Sequence, residues 1–313
     1  MPRKGLNLYK NMKQKRQVTS NRLNVNAGIM SWYVKELTKL TKQMTTECTK
    51  ELANIYKKLG CQVEFTEDKS LKNLILTECE KARNFQNPTY ITGADESISS
   101  QIRIALNELQ KKYGDKFSER AKELVKQLLK KTNKYSNMQI NKALKDMLGD
   151  KAKGFALVGS AISSEKSEIM KAILFENVSL IKSIPDEYFK QITGAVARSI
   201  ENGEGVKWLS KELMTYGAKS KRRADLIAQD QTRKAFTSIN LRNFDECGIK
   251  KFKWLHSGGS REPREYHMEV LNGQIFDLDT GAPNEAGKSP DFIYPGQLPY
   301  CRCVMQAVLD FED

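Results

Sequence analysis

Apolar residues recur at intervals of three and four along most of the chain. Met30, Tyr33, Leu37, Leu40 and Met44 form one such stripe and predict a helix from about Ile29 to Leu59. "CQVEF" (61–65) fits either a short strand or a loop. "SLKNLILTECEKARNF" (70–85) is read as a second helical stretch, and "NPTYITGADES" (87–97), with Pro88 and Gly93, as a loop. Further helices are predicted over 96–113, 117–132 and 137–148. Ile102, Ile104, Ala105 and Leu109 supply the apolar face of the first of these, and alternating Lys and Glu mark the solvated faces. "GFALVGSAISS" (154–164) is small and uncharged, either a linker or a buried crossing, and is taken as the region of a domain boundary.

Ser164, followed by Ser167 and Glu168, resembles a helix start. Ile169, Ile173, Val178 and Ile181 are the apolar positions of that helix. Pro185 should interrupt it, because proline lacks a backbone donor and clashes with the preceding turn. Asp186 and Glu187 then fall in the first turn of a new helix, where the dipole favours acids. "ENGEG" (201–205) reads as a stop and a turn. A short helix is predicted over 206–215 and a longer one from Ser220 to Glu246, with Ile227, Ala228, Ala235, Ile239 and Phe244 buried. Beyond Gly248 the period shortens to two. Ile249, Phe252 and Trp254 are the inward positions of a strand, residues 257–300 form short strands and long loops, and "CRCVMQAV" closes the chain as a second strand. The fold class is α+β and predominantly helical, a helical N-terminal region followed by a small α+β C-terminal domain. The expected domains are a flexible basic arm (1–22), a helical region (23–160) and a C-terminal domain (161–313).

Charge changes this picture at one end. The 313 residues carry 52 Lys+Arg against 38 Asp+Glu, a formal net charge of +14. Such a surplus suits nucleic acid first and an anionic membrane second, and equally suits a merely lysine-rich soluble protein. Residues 1–22 contain Arg3, Lys4, Lys10, Lys13, Lys15, Arg16 and Arg22 and no acid. These seven cations are the candidate DNA-binding set, acting by release of condensed counterions rather than by reading bases. No apolar run reaches the length of a membrane span, and no apolar core follows the basic N-terminus to make a secretory signal. The six scattered cysteines do not resemble a secreted disulfide framework, and synthesis in a reducing cytoplasm is expected.

Candidate chemistry concentrates near the C-terminus. On a strand, Cys301 and Cys303 would share one face and Arg302 would take the other. That is compatible with a pair of thiolate ligands, although two small buried residues are the commoner reading of such a pair. The two histidines, His256 and His267, lie in the same region, and Cys247 is a further candidate. Zinc on His267, Cys301 and Cys303 is therefore the one cofactor to be weighed against none at all. A redox pair fits less well, because the Cys-x-x-Cys helix-start context is missing. "HSGGSREPREYH" (256–267) offers His267 as a base and Arg261 and Arg264 as anion holders, or simply a charge-paired turn. "LDTGA" (278–282) resembles one aspartic-protease turn, but that chemistry needs two, and the segment is read as a loop. As a calcium loop it fails at Gly281 and Lys288. "SKRRAD" (220–225) places three cations at a helix start, which hints at an anionic neighbour or a solvated turn.

An ordered series of motifs then gives the C-terminal part a relation. "NVSLIKSIPDEYFKQITGAVARSIENGEG", "KRRADLIAQDQTRKAFTSINLRNFDECGIKKFKWLHS", "REPREYHMEVLNGQIF" and "YCRC" succeed one another over about 177–306. This series resembles the phage Mu F-like family of minor head proteins, also called phage head morphogenesis proteins. The matching positions are Asp230, Thr232, Arg233, Trp254, Arg264, His267, Gly273, Cys301, Arg302 and Cys303. "HSGGSRE" departs from it, because the family often has an Asp where this chain has Gly259 or Ser260. The resemblance implies a virion or procapsid protein of a tailed phage, made in the bacterial host cytoplasm. Its expected partners are the portal and other head proteins, with non-specific contact to double-stranded DNA and no membrane. It implies no enzyme, and the few residues after Gln306 leave no room for the toxin or transferase domains that some relatives carry. The alternative is a small zinc-dependent hydrolase built on His267, Cys301 and Cys303.

Overall fold

A computed structural model of the protein describes residues 16–58, 62–68, 71–77, 98–149, 158–159, 161–201, 206–259 and 262–311. In chain order these form β1 (Arg16–Thr19), α1 (Ala27–Lys58), β2 (Gln62–Asp68), β3 (Leu71–Thr77), α2 (Ile98–Leu148), α3 (Ser164–Glu201), α4 (Val206–Glu246), β4 (Lys251–Leu255), β5 (Ile275–Asp277), β6 (Ala282–Pro283), β7 (Phe292–Ile293) and β8 (Val304–Phe311). They divide into two compact units, one of Ala27–Lys131 and Met170–Thr232, the other of Met1–Asn26, Thr132–Ile169 and Arg233–Asp313. The expected boundary near 160 is therefore corrected. The chain passes between units inside α2, α3 and α4, not through a linker.

The first unit is a helical bundle with the antiparallel β2–β3 hairpin. Tyr33, Leu37, Met44, Cys48 and Leu52 of α1 are buried, as are Tyr113, Phe117, Leu124 and Leu128 of α2 and Tyr188, Phe189 and Ile192 of α3. A polar chain runs through this core. Tyr33 Oη donates to Asn177 Oδ1 (3.2 Å), and Asn177 Nδ2 donates to Gln231 Oε1 (2.7 Å). Buried polar groups survive in such a place because each finds a partner. The helix expected over 70–85 is corrected in its first half to strand β3. A short leucine-rich run cannot be assigned by period alone, and pairing of Leu71–Thr77 with Gln62–Asp68 decides it.

The helices are longer than their local sequence predicts. The three helices expected across 96–148 are one, and Pro185 does not interrupt α3. Proline inside a helix costs about 3 kcal/mol. Ile181, Ile184, Tyr188 and Phe189 on either side are all fully buried, each worth about 1.5–3 kcal/mol, and their burial outweighs the break. The two helices expected across 206–246 also fuse. At Gly217 a Cβ would sit 3.7 Å from Thr45, so the small residue belongs to a close helix contact rather than to a turn. Ile104, expected on the inner face, is 51% exposed, and Leu106 is buried in its place.

The second unit holds a four-stranded antiparallel sheet of order β1-β8-β4-β5 and the small β6–β7 pair. Phe252 and Trp254 of β4 are fully buried, while Lys251, Lys253 and Leu255 are half-buried, as period two predicts. Phe236 and Phe244 of α4 and Ile140 and Leu144 of α2 complete this core. The flexible arm expected over 1–22 is corrected at its distal end: β1 pairs with β8, and Ser20 and Leu23 donate to Ala307 and Met305. Val18 opposite Leu309 gives that edge an apolar partner. The cap of α3 is Ser163 rather than Ser164, since the Ser163 hydroxyl accepts the Lys166 amide at 3.2 Å. No helix among the described residues is long and apolar enough to cross a membrane.

Candidate metal centre

β4 and β8 pair antiparallel, and their last ladder partners are Leu255 and Val304. Extending that register by one step places His256 opposite Cys303. The segment 301–303 lies just before β8 rather than within it, a small correction to the expected strand. Its alternation is kept, with Cys301 and Cys303 buried and Arg302 exposed. Cys301 is delivered by a turn in which its amide donates to the Leu298 carbonyl (3.0 Å), with Tyr300 at a positive φ of 60°. His267 comes from a five-residue π-helical turn, Tyr266–Val270, and is 3% exposed.

These three side chains meet. His267 Nδ1 lies 3.6 Å from Cys301 Sγ and 3.8 Å from Cys303 Sγ, and the three ligand atoms fall within 4.8 Å of one another. His256 Nδ1 lies 3.8 Å from Cys303 Sγ. Both cysteines are free thiols. Trp254 packs edge-on against His267 with ring centroids 5.0 Å apart, which fixes the imidazole plane. Its indole Nε1 is buried without a hydrogen-bond partner. The His256 amide donates to Asn272 Oδ1 (2.9 Å) and holds the segment after β4.

The sulfurs share their protons unequally. A hydrogen bond from Cys303, helped by His267 and by the backbone of Cys303 and Gly296, outweighs burial and brings the Cys301 thiol down to about 4. Cys303 is pushed up, chiefly by bonding to the Cys301 sulfur and by burial. The surroundings thus favour the thiolate form of Cys301 over that of Cys303.

Gly296 lies between α4 and the backbone of Cys303. Its φ is +80°, and a Cβ there would lie 2.9 Å from Thr237 Oγ1 and 3.5 Å from the Cys303 carbonyl. The Thr237 hydroxyl is held by donation to the Pro295 carbonyl at 2.7 Å. The close approach of this loop to α4 needs glycine on both counts.

Among the motif residues, Trp254, His267, Cys301 and Cys303 belong to the cluster. Arg302 donates to the Gly259 carbonyl and Arg264 to the Pro299 carbonyl (2.9 Å), so both arginines brace loops around it. Gly273, at φ +84°, turns the chain back so that its amide reaches the Trp254 carbonyl (2.8 Å). Asp230 and Thr232 are buried on α4, Thr232 bonding the Ala228 carbonyl (2.7 Å); Arg233 is half-buried on the same helix, its Cβ facing Gly296. None of these three is a cluster ligand. Of the basic set, Arg3, Lys4, Lys10, Lys13 and Lys15 lie outside the described residues. Arg16 begins β1, and Arg22 is exposed. His256 and Gly296 were absent from the assigned sites. The first was signalled by the strand register, the second by nothing local.

The matched elements are now in view: the end of α3, the whole of α4, β4 to β7 and the start of β8. Residues 190–306 match the family described as phage Mu protein F like protein. The F-like segment therefore begins in α3 and ends inside β8, and it contains all four Cys and His side chains of the cluster. A protein of Haemophilus influenzae (strain ATCC 51907 / DSM 11121 / KW20 / Rd), described as uncharacterized, is 34% identical over 144 residues, 46% of this chain. The chain spans 30% of that relative's length. No solved structure matches.

Proposed function

We propose that the protein is a minor head component of a tailed phage, acting in head morphogenesis. The match of residues 190–306 to the phage Mu protein F like family carries this reading. The finer assignment is assembly at the portal, in the interior of the procapsid, with the basic N-terminal residues against packaged DNA. Net charge of +14 and the acid-free cluster at Arg3, Lys4, Lys10, Lys13, Lys15, Arg16 and Arg22 support the DNA contact. Disruption of the gene in the phage or prophage that carries it should leave heads that fail to complete or to fill, as counted by electron microscopy. Normal numbers of filled heads would overturn the assignment.

DNA contact has its own test. Binding of the full chain to random-sequence duplex should weaken with salt, and exchanging the seven cations for Gln should lower the log–log slope by up to about 6. An unchanged slope would remove DNA from the list of partners. The alternative, a small zinc-dependent hydrolase, is favoured by one observation. The cluster opens on a cleft lined by His256, Glu262, Arg264 and Arg302, where a metal-bound water would have a carboxylate nearby. That reading requires a coordination position left open for water.

A further inference from the structure

We propose that His267, Cys301, Cys303 and His256 bind one Zn²⁺ in a closed, tetrahedral Cys₂His₂ site that locks the C-terminal strand to β4. Tetrahedral zinc with Zn–S of about 2.3 Å and Zn–N of about 2.0–2.1 Å sets sulfur and nitrogen ligands about 3.6 Å apart. Three of the four sulfur–nitrogen pairs among these residues lie at 3.6, 3.8 and 3.8 Å. A single atom, His267 Nδ1, is near both sulfurs, so the three groups converge on one point and do not form a chain.

The fourth position is the decisive one. His256 touches the cluster through Cys303 and lies outside the mutually close set of three. Its backbone is nevertheless fixed where a ligand is wanted, one register step beyond Leu255 and Val304 and tied to Asn272. Its Nδ1 already lies 3.8 Å from Cys303 Sγ, and the proposal requires the imidazole to turn toward the other three ligands. Two thiolates and two imidazoles form a borderline-soft set that suits zinc, not magnesium or calcium. The surroundings suit thiolates as well. Trp254 carries a buried N–H that lacks a partner, beside sulfurs that accept hydrogen bonds when metal-bound. The ligands come from the end of β4, the π-helical turn and the segment before β8. An ion there adds a cross-link beyond the end of the β4–β8 ladder and ties the π-helical turn to it. With His256 in place no site remains for water, and the ion is structural. This chemistry does not depend on the head-assembly reading, and either can fail alone.

The test uses the full chain, purified without chelator. Elemental mass spectrometry should find about one zinc per chain, lost in Cys303→Ser and in His267→Ala and retained in Cys247→Ser, which changes a buried cysteine of the same unit outside the cluster. His256→Ala should weaken zinc at least about 100-fold in competition with a chromophoric chelator, more than the loss of an outer-shell group. Co²⁺ in place of zinc keeps the test independent of whether the variants fold. The wild-type protein should show sulfur-to-metal charge transfer and the intense visible bands of four-coordinate cobalt, and folded His256→Ala should show weaker, shifted bands. Wild-type protein without zinc and without thiolate–cobalt bands overturns the site. Unaltered affinity and an unaltered cobalt spectrum in His256→Ala overturn its closure and return the fourth position to water.

Discussion

Gly296 offers a perturbation whose cost can be worked out from its surroundings. Replacing it by Ala demands a left-handed conformation of a residue with a Cβ, which costs about 1 kcal/mol. The new Cβ also lies 2.9 Å from Thr237 Oγ1. Thr237 cannot simply turn away, because its hydroxyl makes a buried 2.7 Å bond to the Pro295 carbonyl worth about 1 kcal/mol. Moving the loop instead would displace the Cys303 carbonyl, 3.5 Å from the same Cβ. The sum is about 2–4 kcal/mol. A double-mutant cycle separates the parts: in a Thr237→Ala background the clash disappears, and Gly296→Ala should cost only the backbone share of about 1 kcal/mol. Urea unfolding followed by fluorescence suits the purpose, with Trp32 and Trp208 changed to Phe so that buried Trp254 reports on this unit. A cost below about 0.5 kcal/mol for Gly296→Ala, or no coupling with Thr237, would refute the reasoning.

Other consequences are open to measurement. Lys166 is fully buried and paired with Glu246 at 2.7 Å, whereas Glu246 is partly exposed and also accepts from Ser163. Glu246→Ala should therefore destabilise by about 3–5 kcal/mol through the stranded ammonium, and Lys166→Met by less than about 1 kcal/mol; equal effects in urea unfolding would contradict this. Bonds from Lys112 and Tyr113 hold the Glu47 carboxyl below its ordinary 4.5. A depressed carboxylate stabilises above its unfolded value and loses that contribution as pH falls through the folded one. The gap between wild type and Glu47→Gln should hence close below about pH 4.5, and it should stay under about 1 kcal/mol because the pair is half in water. Phe175 is 81% exposed, so Phe175→Ser should leave the unfolding midpoint unchanged; a clear drop would show that the side chain is covered.

Element types were mostly legible in the chain, and element ends were not. The stripe from Met30 to Met44 and the alternation through Phe252 and Trp254 each have a period that only one structure satisfies. Local breakers misled. Gly114, Pro185 and Gly217 each look like a stop, yet burial of Tyr113 and Phe117, of Ile184 and Tyr188, and the contact of Gly217 with Thr45 override the local penalty. Charge hid β1. Four residues beside a lysine-rich tail carry no signal for pairing with Leu309, almost the whole chain away. At the site, the spacing of Cys301 and Cys303 and the placing of both histidines near them pointed to the cluster, and the structure brings His267, Cys301 and Cys303 together. The place of His256 follows from the β4–β8 register, and the need for Gly296 from a contact with α4. Neither is a local property of sequence.

The central claim is that this chain is a component of a phage head. Quantitative mass spectrometry of procapsids and finished heads, purified from the cells that carry the gene, tests it most directly. The account predicts peptides from both the bundle and the F-like segment in those particles, in far fewer copies than the major shell protein. Particles assembled and filled in its presence that contain none of the chain at either stage would contradict it.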